Sequence, residues 1–375
     1  MAKTFNGIFE KVITFEALYA AYIRARKGKR VGRACRLFEK DLEGELIQLQ
    51  NQLIWDEYRT GPYRSFYVSE PKRRKITALT RFRDRVVQQS LYAEIEPIYE
   101  RRFISTSFAC RPGKGAHAGA DKAQQMLRGC LREHGKVYAL KADISRYFAS
   151  IDHAILKRLL RKKIRDKKAL LLLDDIIDSY CEESGAPKGI PPISRQMLQL
   201  IDNHYARGLS REGLPIGNLT SQLFANIYLD HFDQWIKCHR QERWYVRYMD
   251  DWVVIHPCKQ HLGALRIDAE RFLQDELHLS TNHKTQIFPV AHREGRGLDF
   301  LGYHLWPDRR RLRKASLKRF KRRVRTLQRQ YAEGRIELAD IHQQLHSWIA
   351  HARHGDATPA VEAVLSNTIF KRADA

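Results

Sequence analysis

An α+β fold built on a small antiparallel sheet is predicted by three features of the sequence. Val137 to Ala142 is a compact apolar run ending at Asp143, the pattern of a buried strand whose carboxyl end holds a site. Trp244–Tyr248 and Trp252–His256 are two extended segments joined by Met249-Asp250-Asp251, a hairpin with two carboxylates at its tip. Most of the remaining chain carries apolar residues at helical spacing. The 375 residues allow two or three domains, and 43% hydrophobic content is enough for a sizeable core.

The elements follow in order, with no internal repeat and no low-complexity tract. From Glu39 to Tyr58, Leu42, Leu46, Leu49 and Leu53 step by four, three and four, an amphipathic helix ended by Thr60-Gly61-Pro62. Two short extended runs, Ser65–Ser69 and Ile76–Leu79, flank the basic turn Lys72-Arg73-Arg74-Lys75. A helix over Arg83 to Glu100 buries Val86, Leu91, Ile95 and Ile98. Cys110 to Gly115 then forms a Gly-rich basic loop without the GxxxxGK[ST] form of a P-loop. Past the Asp143 strand come basic helices at Ala154–Ile164 and Lys167–Cys181. A helix resumes after Pro191-Pro192 as far as Tyr205, and another starts around Thr220 with Phe224, Tyr228, Phe232 and Trp235 on one stripe. Arg309 to Arg325 holds eleven basic residues in seventeen and no acid. Leu317, Phe320, Val324 and Leu327 keep helical spacing beneath that charge, so a folded basic helix is expected rather than a tail.

Charge narrows the function classes. Lys plus Arg number 67 against 43 Asp plus Glu, a formal +24 that points to a polyanion, nucleic acid before anionic membrane. No apolar run approaches a membrane span, since the longest, Ala169 to Leu173, stops at Asp174. Glu10 and Glu16 interrupt the N-terminal apolar residues, so a secretory signal is not expected. Cys35, Cys110, Cys130, Cys181, Cys238 and Cys258 show no CxxC spacing, which suits free thiols in a reducing cytosol.

Asp143, Asp250 and Asp251 call for a chemical account. Acids at the ends of apolar strands are costly unless a cation sits between them. Magnesium fits, because it prefers carboxylate oxygens, keeps waters and recruits substrate phosphates. Two such ions would hold the attacking and leaving oxygens of an in-line phosphoryl transfer. The plain alternative is that Asp-Asp merely makes a turn; its apolar flanks and the matching Asp143 strand argue against that. His342, His346, His351 and His354 fall on an expected helix, and the first two have i,i+4 metal spacing. With no nearby cysteine and no HExxH pattern, they read as polar and packing residues.

These residues carry a family resemblance. Tyr248-Met249-Asp250-Asp251 resembles the YxDD signature of reverse transcriptases, and Lys141 to Phe148 resembles the first catalytic palm motif, with an aromatic five residues after the Asp. Gly213 to Gln222 resembles the motif opening the long palm helix, Leu279 through Asn282 to Lys284 a later palm motif, and Phe300 to Tyr303 the primer-grip hairpin. The five motifs occur in order and span roughly residues 60 to 310. Reverse transcriptases at large carry Gln-Gly-x-x-x-Ser-Pro where this chain has Ile216-Gly217-x-x-x-Ser221-Gln222, which is similar to reverse transcriptases of diversity-generating retroelements. Phe66-Tyr67-Val68, Glu70-Pro71-Lys72, Arg83 to Gln88, and Ser347-Trp348 followed by His351 also resemble that group. Trp252, where a smaller apolar residue is usual, is a conservative departure.

The resemblance implies roles. Asp143 and Asp250 would ligate two Mg2+ ions (Mn2+ in vitro), with the Ile144 carbonyl among the ligands and Asp251 in support. Phe148 would lie under the ribose and exclude a 2′-hydroxyl, or alternatively pack in the core. Lys72 and Arg74 would clamp the triphosphate, Arg through its planar fork, unless they only form a solvated turn. Lys284 would protonate the pyrophosphate leaving group. Ile216 and Gln222 would border the incoming nucleotide, with Ile216 and Arg74 affecting fidelity. Arg111, Lys114, Arg313, Lys314, Lys318 and Arg322 would grip the nucleic-acid backbone, a sequence-independent contact.

The expected architecture is a right-hand polymerase: an N-terminal helical extension (1–59), fingers (60–135), a palm (136–306) with a helical insertion at about 153–206, and a short basic helical thumb (307–375). The implied activity is RNA-directed DNA synthesis on a structured template RNA, error-prone at template adenines. The implied partners are that RNA, the RNA–DNA hybrid, dNTPs and a small basic pentameric accessory protein, in the cytoplasm of a bacterial or phage-infected cell. Two other readings stand beside it: a group II intron-like or phage-defence reverse transcriptase, and an RNA-binding scaffold with secondary polymerase activity. Ile216 and Gln222 argue against the intron kind, and a scaffold has no need of three metal-binding acids.

Overall fold

The computed structural model describes residues 3–28, 32–69, 73–181 and 211–372. In chain order the helices are α1 (Phe9–Val12), α2 (Phe15–Arg26), α3 (Arg33–Glu39), α4 (Leu42–Ile54), α5 (Phe82–Glu100), α6 (Ala116–His134), α7 (His153–Arg161), α8 (Lys167–Asp178), α9 (Leu219–Gln234), α10 (Lys259–Leu277), α11 (Lys314–Ala332), α12 (Leu338–Arg353) and α13 (Thr358–Leu365). The strands are β1 (Tyr63–Val68), β2 (Arg74–Leu79), β3 (Tyr138–Asp143), β4 (Trp244–Tyr248), β5 (Asp251–His256), β6 (Gln286–Pro289), β7 (Leu298–Phe300), β8 (Tyr303–Leu305) and β9 (Arg310–Leu312). The chain divides into two compact units: Met1–Ser105, Asp143–Gln241 and Asp268–His283 form the first, and Thr106–Ala142, Glu242–Ile267 and Lys284–Ala375 the second.

The first unit is mostly helical. Its N-terminal core is apolar and aromatic, with Leu18, Leu46, Leu49, Val86, Val87 and Leu91 buried around the mutually packed rings of Tyr22, Phe38 and Phe82. Side-chain caps set helix starts: Asp41 accepts from Gly44 N, so α4 begins at Leu42, and Asp152 and Asp166 cap α7 and α8. Asp56, in the left-handed conformation at φ +54°, follows the end of α4, so the helix is shorter than its periodicity suggests. β1 and β2 form an antiparallel hairpin in the register Tyr63↔Leu79 to Val68↔Arg74. α9 is buried nearly all round and runs on into a π turn, Trp235–His239.

The second unit holds the main sheet, in the order β4-β5-β3-β6, with β4/β5 and β3/β6 antiparallel. β7, β8 and β9 make a separate antiparallel meander. Leu127, Ala123, Val246, Val253, Phe288, Phe300 and Tyr303 belong to one core joining α6, the sheet and the meander. A smaller core of Phe320, Val324, Ala352 and Val361 unites α11, α12 and α13.

Several sequence expectations need correction. Arg309 to Arg325 is not one helix: Arg310–Leu312 pair with β8, and α11 begins only at Lys314. The partner is the strand just before it, Tyr303–Leu305, which closes a short local hairpin on Arg310–Leu312 that a reading of the charge run alone passes over. Arg74 and Lys75 lie in β2 rather than in a turn. Asp251 opens β5, which leaves Met249 and Asp250 as the two-residue turn. Lys72, the Glu70-Pro71-Lys72 turn and the expected helix between Pro191 and Tyr205 lie outside the described residues. All six cysteines are free thiols.

Candidate active site

In the first unit, the site is built around the end of β3. The segment 280–282 fastens residues 143–145: Ser145 N donates to Ser280 O at 2.8 Å and Asn282 N to Asp143 O at 2.8 Å. Those bonds fall either side of Ile144, which bridges Thr281, so the bridge leaves the Ile144 carbonyl out of its ladder. The Asn282 amide also donates to Asp143 Oδ2 at 2.6 Å and orients that carboxylate. Arg146, at φ +47°, then turns the chain into the short helical turn Tyr147–Ser150. Tyr147 is buried, while Phe148 is half-buried with its ring edge-on to Tyr147 at 5.7 Å.

The carbonyl of Phe148 accepts from Leu214 N at 2.7 Å, and this leads the chain toward the β1/β2 hairpin. There the Ile216 carbonyl accepts from Thr77 N at 2.8 Å. Gly217, at φ +138°, lies so close that a Cβ would meet Thr77 O at 3.0 Å and Ile76 Cγ2 at 3.1 Å. Only glycine suits that combination of backbone angle and approach. The Ile216 side chain is 39% exposed, so it does not pack into the core beneath α9. Gln222 is exposed in the first turn of α9 and Ser221 is buried. Arg74 is exposed at the start of β2.

In the second unit, the hairpin tip has its own supports. Tyr248 pairs with Asp251, and Met249 adopts φ +56° to close the two-residue turn. Arg247 is fully buried, yet its guanidinium donates to the Met249 carbonyl at 2.9 Å, and its backbone exchanges bonds with Thr106 O and Phe108 N. Lys141 Nζ lies 3.2 Å from Asp251 Oδ2, with both side chains mostly shielded, and also donates to the Asp299 carbonyl. The Asp299 carboxylate in turn accepts from Arg313 Nε. Lys284 is exposed just before β6.

The donors at these two places are hard oxygens: the carboxylates of Asp143, Asp250 and Asp251 and the carbonyl of Ile144. Oxygens of this kind, at either place, suit Mg2+ and not a thiophilic metal. Among the described residues no three His, Cys, Asp or Glu side chains form a metal cage by themselves. Substrate phosphates and water ordinarily complete the Mg2+ shell in phosphate-transferring enzymes.

The residues expected to grip nucleic acid divide into two kinds. Lys314, Lys318 and Arg322 are exposed on α11. Arg313 is instead ion-paired with Asp299, and Arg310 is buried on Asp121 (2.6 Å) and Gln124 (2.9 Å). Arg111 donates to Ser107 O at 2.7 Å, and Lys114 Nζ stands 5.1 Å over the Phe108 ring. The histidines pack: His351 Nδ1 lies 3.0 Å from the Tyr303 hydroxyl, and His354 stacks on His117 at 4.0 Å. Burial, and then the neighbouring His117 and His354, hold the His351 imidazole below its ordinary pKa.

Lys141 and Arg247 escaped the sequence reading. Lys141 is two residues before Asp143 on one strand and so on the same face, a period-2 signal that was available. Arg247 sits inside an apolar strand, where an arginine needs internal partners.

The family model described as "Reverse transcriptase (RNA-dependent DNA polymerase)" matches residues 69–305. The chain belongs to the reverse transcriptase family. This reverse transcriptase is accordingly an RNA-directed DNA polymerase, a nucleotidyltransferase, and its helices and antiparallel sheets agree with the right-hand polymerase fold class. It is 27% identical over 313 residues to Protein YkfC of Escherichia coli strain K12, covering 73% of this chain and 74% of that one. Group II intron-encoded protein LtrA of Lactococcus lactis subsp. cremoris is 27% identical over 182 residues, 48% of this chain and 26% of LtrA. Nuclear intron maturase 2, mitochondrial, of Arabidopsis thaliana is 33% identical over 144 residues, 34% of this chain and 19% of the maturase. This chain thus spans about a quarter or less of the two intron-related proteins. Telomerase from Candida albicans is similar over 72% of this chain and 51% of its own, at 11% identity and a TM-score of 0.43. Among the described residues no helix is long and apolar enough to cross a membrane.

Proposed function

We propose that this reverse transcriptase copies a structured RNA into cDNA with reduced fidelity at template adenines, as a diversity-generating retroelement enzyme. The observation that carries the reading is Ile216, a half-exposed apolar side chain on a backbone pinned to Thr77, at the place where the wider family has Gln. A side chain without donor or acceptor gives a correctly paired nucleotide less advantage over a mismatched one, by roughly 1 kcal/mol per lost contact. The preference for adenine comes from the resemblance alone.

In this reading Asp143, Asp250 and Ile144 hold Mg2+, with Asp251 in support, and the bound ions supply positive charge to the attacking and leaving oxygens. Arg74 and Lys72 meet the triphosphate, Phe148 and Gln222 border the sugar and base, and Lys284 gives a proton to pyrophosphate. Fingers at 60–135, a palm at 136–306 and a thumb at 307–375 describe the division of labour. The accessory protein implied by the resemblance is basic, as is this chain at +24, so the two would meet through RNA rather than directly. Co-purification from a bacterial or phage-infected cytoplasm, lost on ribonuclease treatment, is the expected outcome.

A group II intron-like enzyme is the second reading, favoured by the similarity to LtrA and the Arabidopsis maturase. The deciding experiment changes Ile216→Gln, copies a defined RNA and sequences the cDNA. Fewer errors opposite adenine than in the parent, at comparable activity, supports the retroelement reading. Equal error leaves Ile216 without a role in fidelity and turns the balance to the second reading.

A further inference from the structure

We propose that His153 is a positioning residue for the segment that displays Ile216: its imidazole holds the Gly213 carbonyl, and Asp178 holds the imidazole. The inference rests on the reading of Ile216 as a neighbour of the incoming nucleotide, and deepens it by naming what sets the place of that side chain.

His153 opens α7 yet is only 3% exposed. Its Nε2 lies 2.8 Å from the Gly213 carbonyl oxygen, and because a carbonyl only accepts, Nε2 carries the hydrogen. Nδ1 then lies on the side of α8, 3.5 Å from Asp178 Oδ1. Asp178 also takes Lys157 Nζ at 2.6 Å on both carboxylate oxygens. Burial pushes the Asp178 carboxyl up, but His153 and Lys157 outweigh it and hold the group below its ordinary pKa, so a negative charge stands beside the ring. A carboxylate at one ring nitrogen and an acceptor at the other fix the orientation and the tautomer of an imidazole.

The backbone carries this bond onward to Ile216. His153 N donates to Arg211 O and Gly213 N to Ile151 O, both at 2.9 Å, so the start of α7 and residues 211–213 are laced together. Only Leu214 and Pro215, both buried, separate Gly213 from Ile216, whose carbonyl accepts from Thr77 N. The segment is a short tether fixed at both ends, and the proline ring removes rotation about φ between them. A displaced Gly213 carbonyl therefore moves Ile216 with little slack. The Nε2 hydrogen goes to this tether and not to α7 or α8, the helices that a packing histidine would serve.

The test uses the full chain and steady-state primer extension. His153→Leu removes the donor at similar volume, and His153→Gln returns an amide N–H near the place of Nε2. His153→Leu should raise KM for dNTPs about fivefold or more and leave KM for template–primer near the parent value. His153→Gln should recover most of that change, and Asp178→Asn should fall between the two. A general loss of packing would lower the active fraction without splitting the two KM values. Should His153→Leu fail to fold, Asp178→Asn and 15N-histidine NMR of the unaltered protein decide, the His153 signal being assigned by its absence in His153→Gln. The expected spectrum has the hydrogen on Nε2. A bare Nε2, a joint rise of both KM values, or His153→Gln no better than His153→Leu would overturn the proposal. Ile216→Gln separates the two readings. An effect there on dNTP KM or error, with none in His153→Leu, overturns the tether alone. An effect in His153→Leu, with none in Ile216→Gln, overturns the role given to Ile216 and leaves the tether standing.

Discussion

Asp250 sits in the two-residue turn and Asp251 in the strand that follows, so adjacent carboxylates have different backbones and different neighbours. Lys141 lies against Asp251, which offsets that carboxylate's negative charge. In the proposed mechanism Asp250 is a Mg2+ ligand, so Asp250→Asn should abolish nucleotide addition, while RNA binding persists through the basic surfaces. Primer extension beside a binding isotherm checks this, and substantial synthesis by the variant would sink the metal-ion reading. Arg247 donates to the Met249 carbonyl in the turn that carries Asp250, which makes it a positioning residue in the proposed mechanism. Arg247→Met should lower kcat severalfold or more, leave affinity for template–primer near the parent value, and be partly restored in Arg247→Lys. Loss of affinity in step with kcat would instead mark a general folding defect.

At the scale of elements, the contact of the 213–218 segment with β2 decides where Ile216 is displayed. Gly217 permits it by its φ of +138° and by having no Cβ against Thr77 O. Gly217→Ala should therefore cost about 2 kcal/mol of stability by urea denaturation and raise KM for dNTPs more than for template–primer. An unchanged KM ratio would separate this segment from the nucleotide. A second link joins elements in the other unit: Asp251 contacts Lys141, Lys141 donates to the Asp299 carbonyl, and the Asp299 side chain takes Arg313. The residue before α11 is thereby connected with the Tyr248–Asp251 hairpin. That arrangement accounts for an arginine in the basic run whose charge is neutralised within the protein.

Across the whole molecule, a formal +24 makes nucleic-acid affinity a property of salt as much as of shape. RNA binding should fall a hundredfold or more between about 50 and 200 mM salt. The double variant Lys318→Ala, Arg322→Ala should reduce the slope of log K against log salt by roughly 2 and weaken all RNA sequences alike. A slope unmoved by the two substitutions would take α11 out of the phosphate contact. The buried Arg310 should contribute nothing to that slope, because Asp121 and Gln124 satisfy its guanidinium inside the protein.

Short-range pattern accounts for a large part of this fold. The Asp143 strand, the Tyr248–Asp251 hairpin, the stripe of α9 and the order of the motifs were all legible, since periods of 2 and 3.6 and turn residues act between near neighbours. The positions of Asp143 at a strand end and of Asp250 and Asp251 at a hairpin tip followed from those patterns. Tertiary structure alone decided which charges are internal. Arg310 meets Asp121 across 189 positions, and Lys141 meets the Asp299 carbonyl across 158. A cation in a basic run has the same local pattern whether it faces water, a phosphate or a buried carboxylate. Only the chain brought to it by folding distinguishes the three.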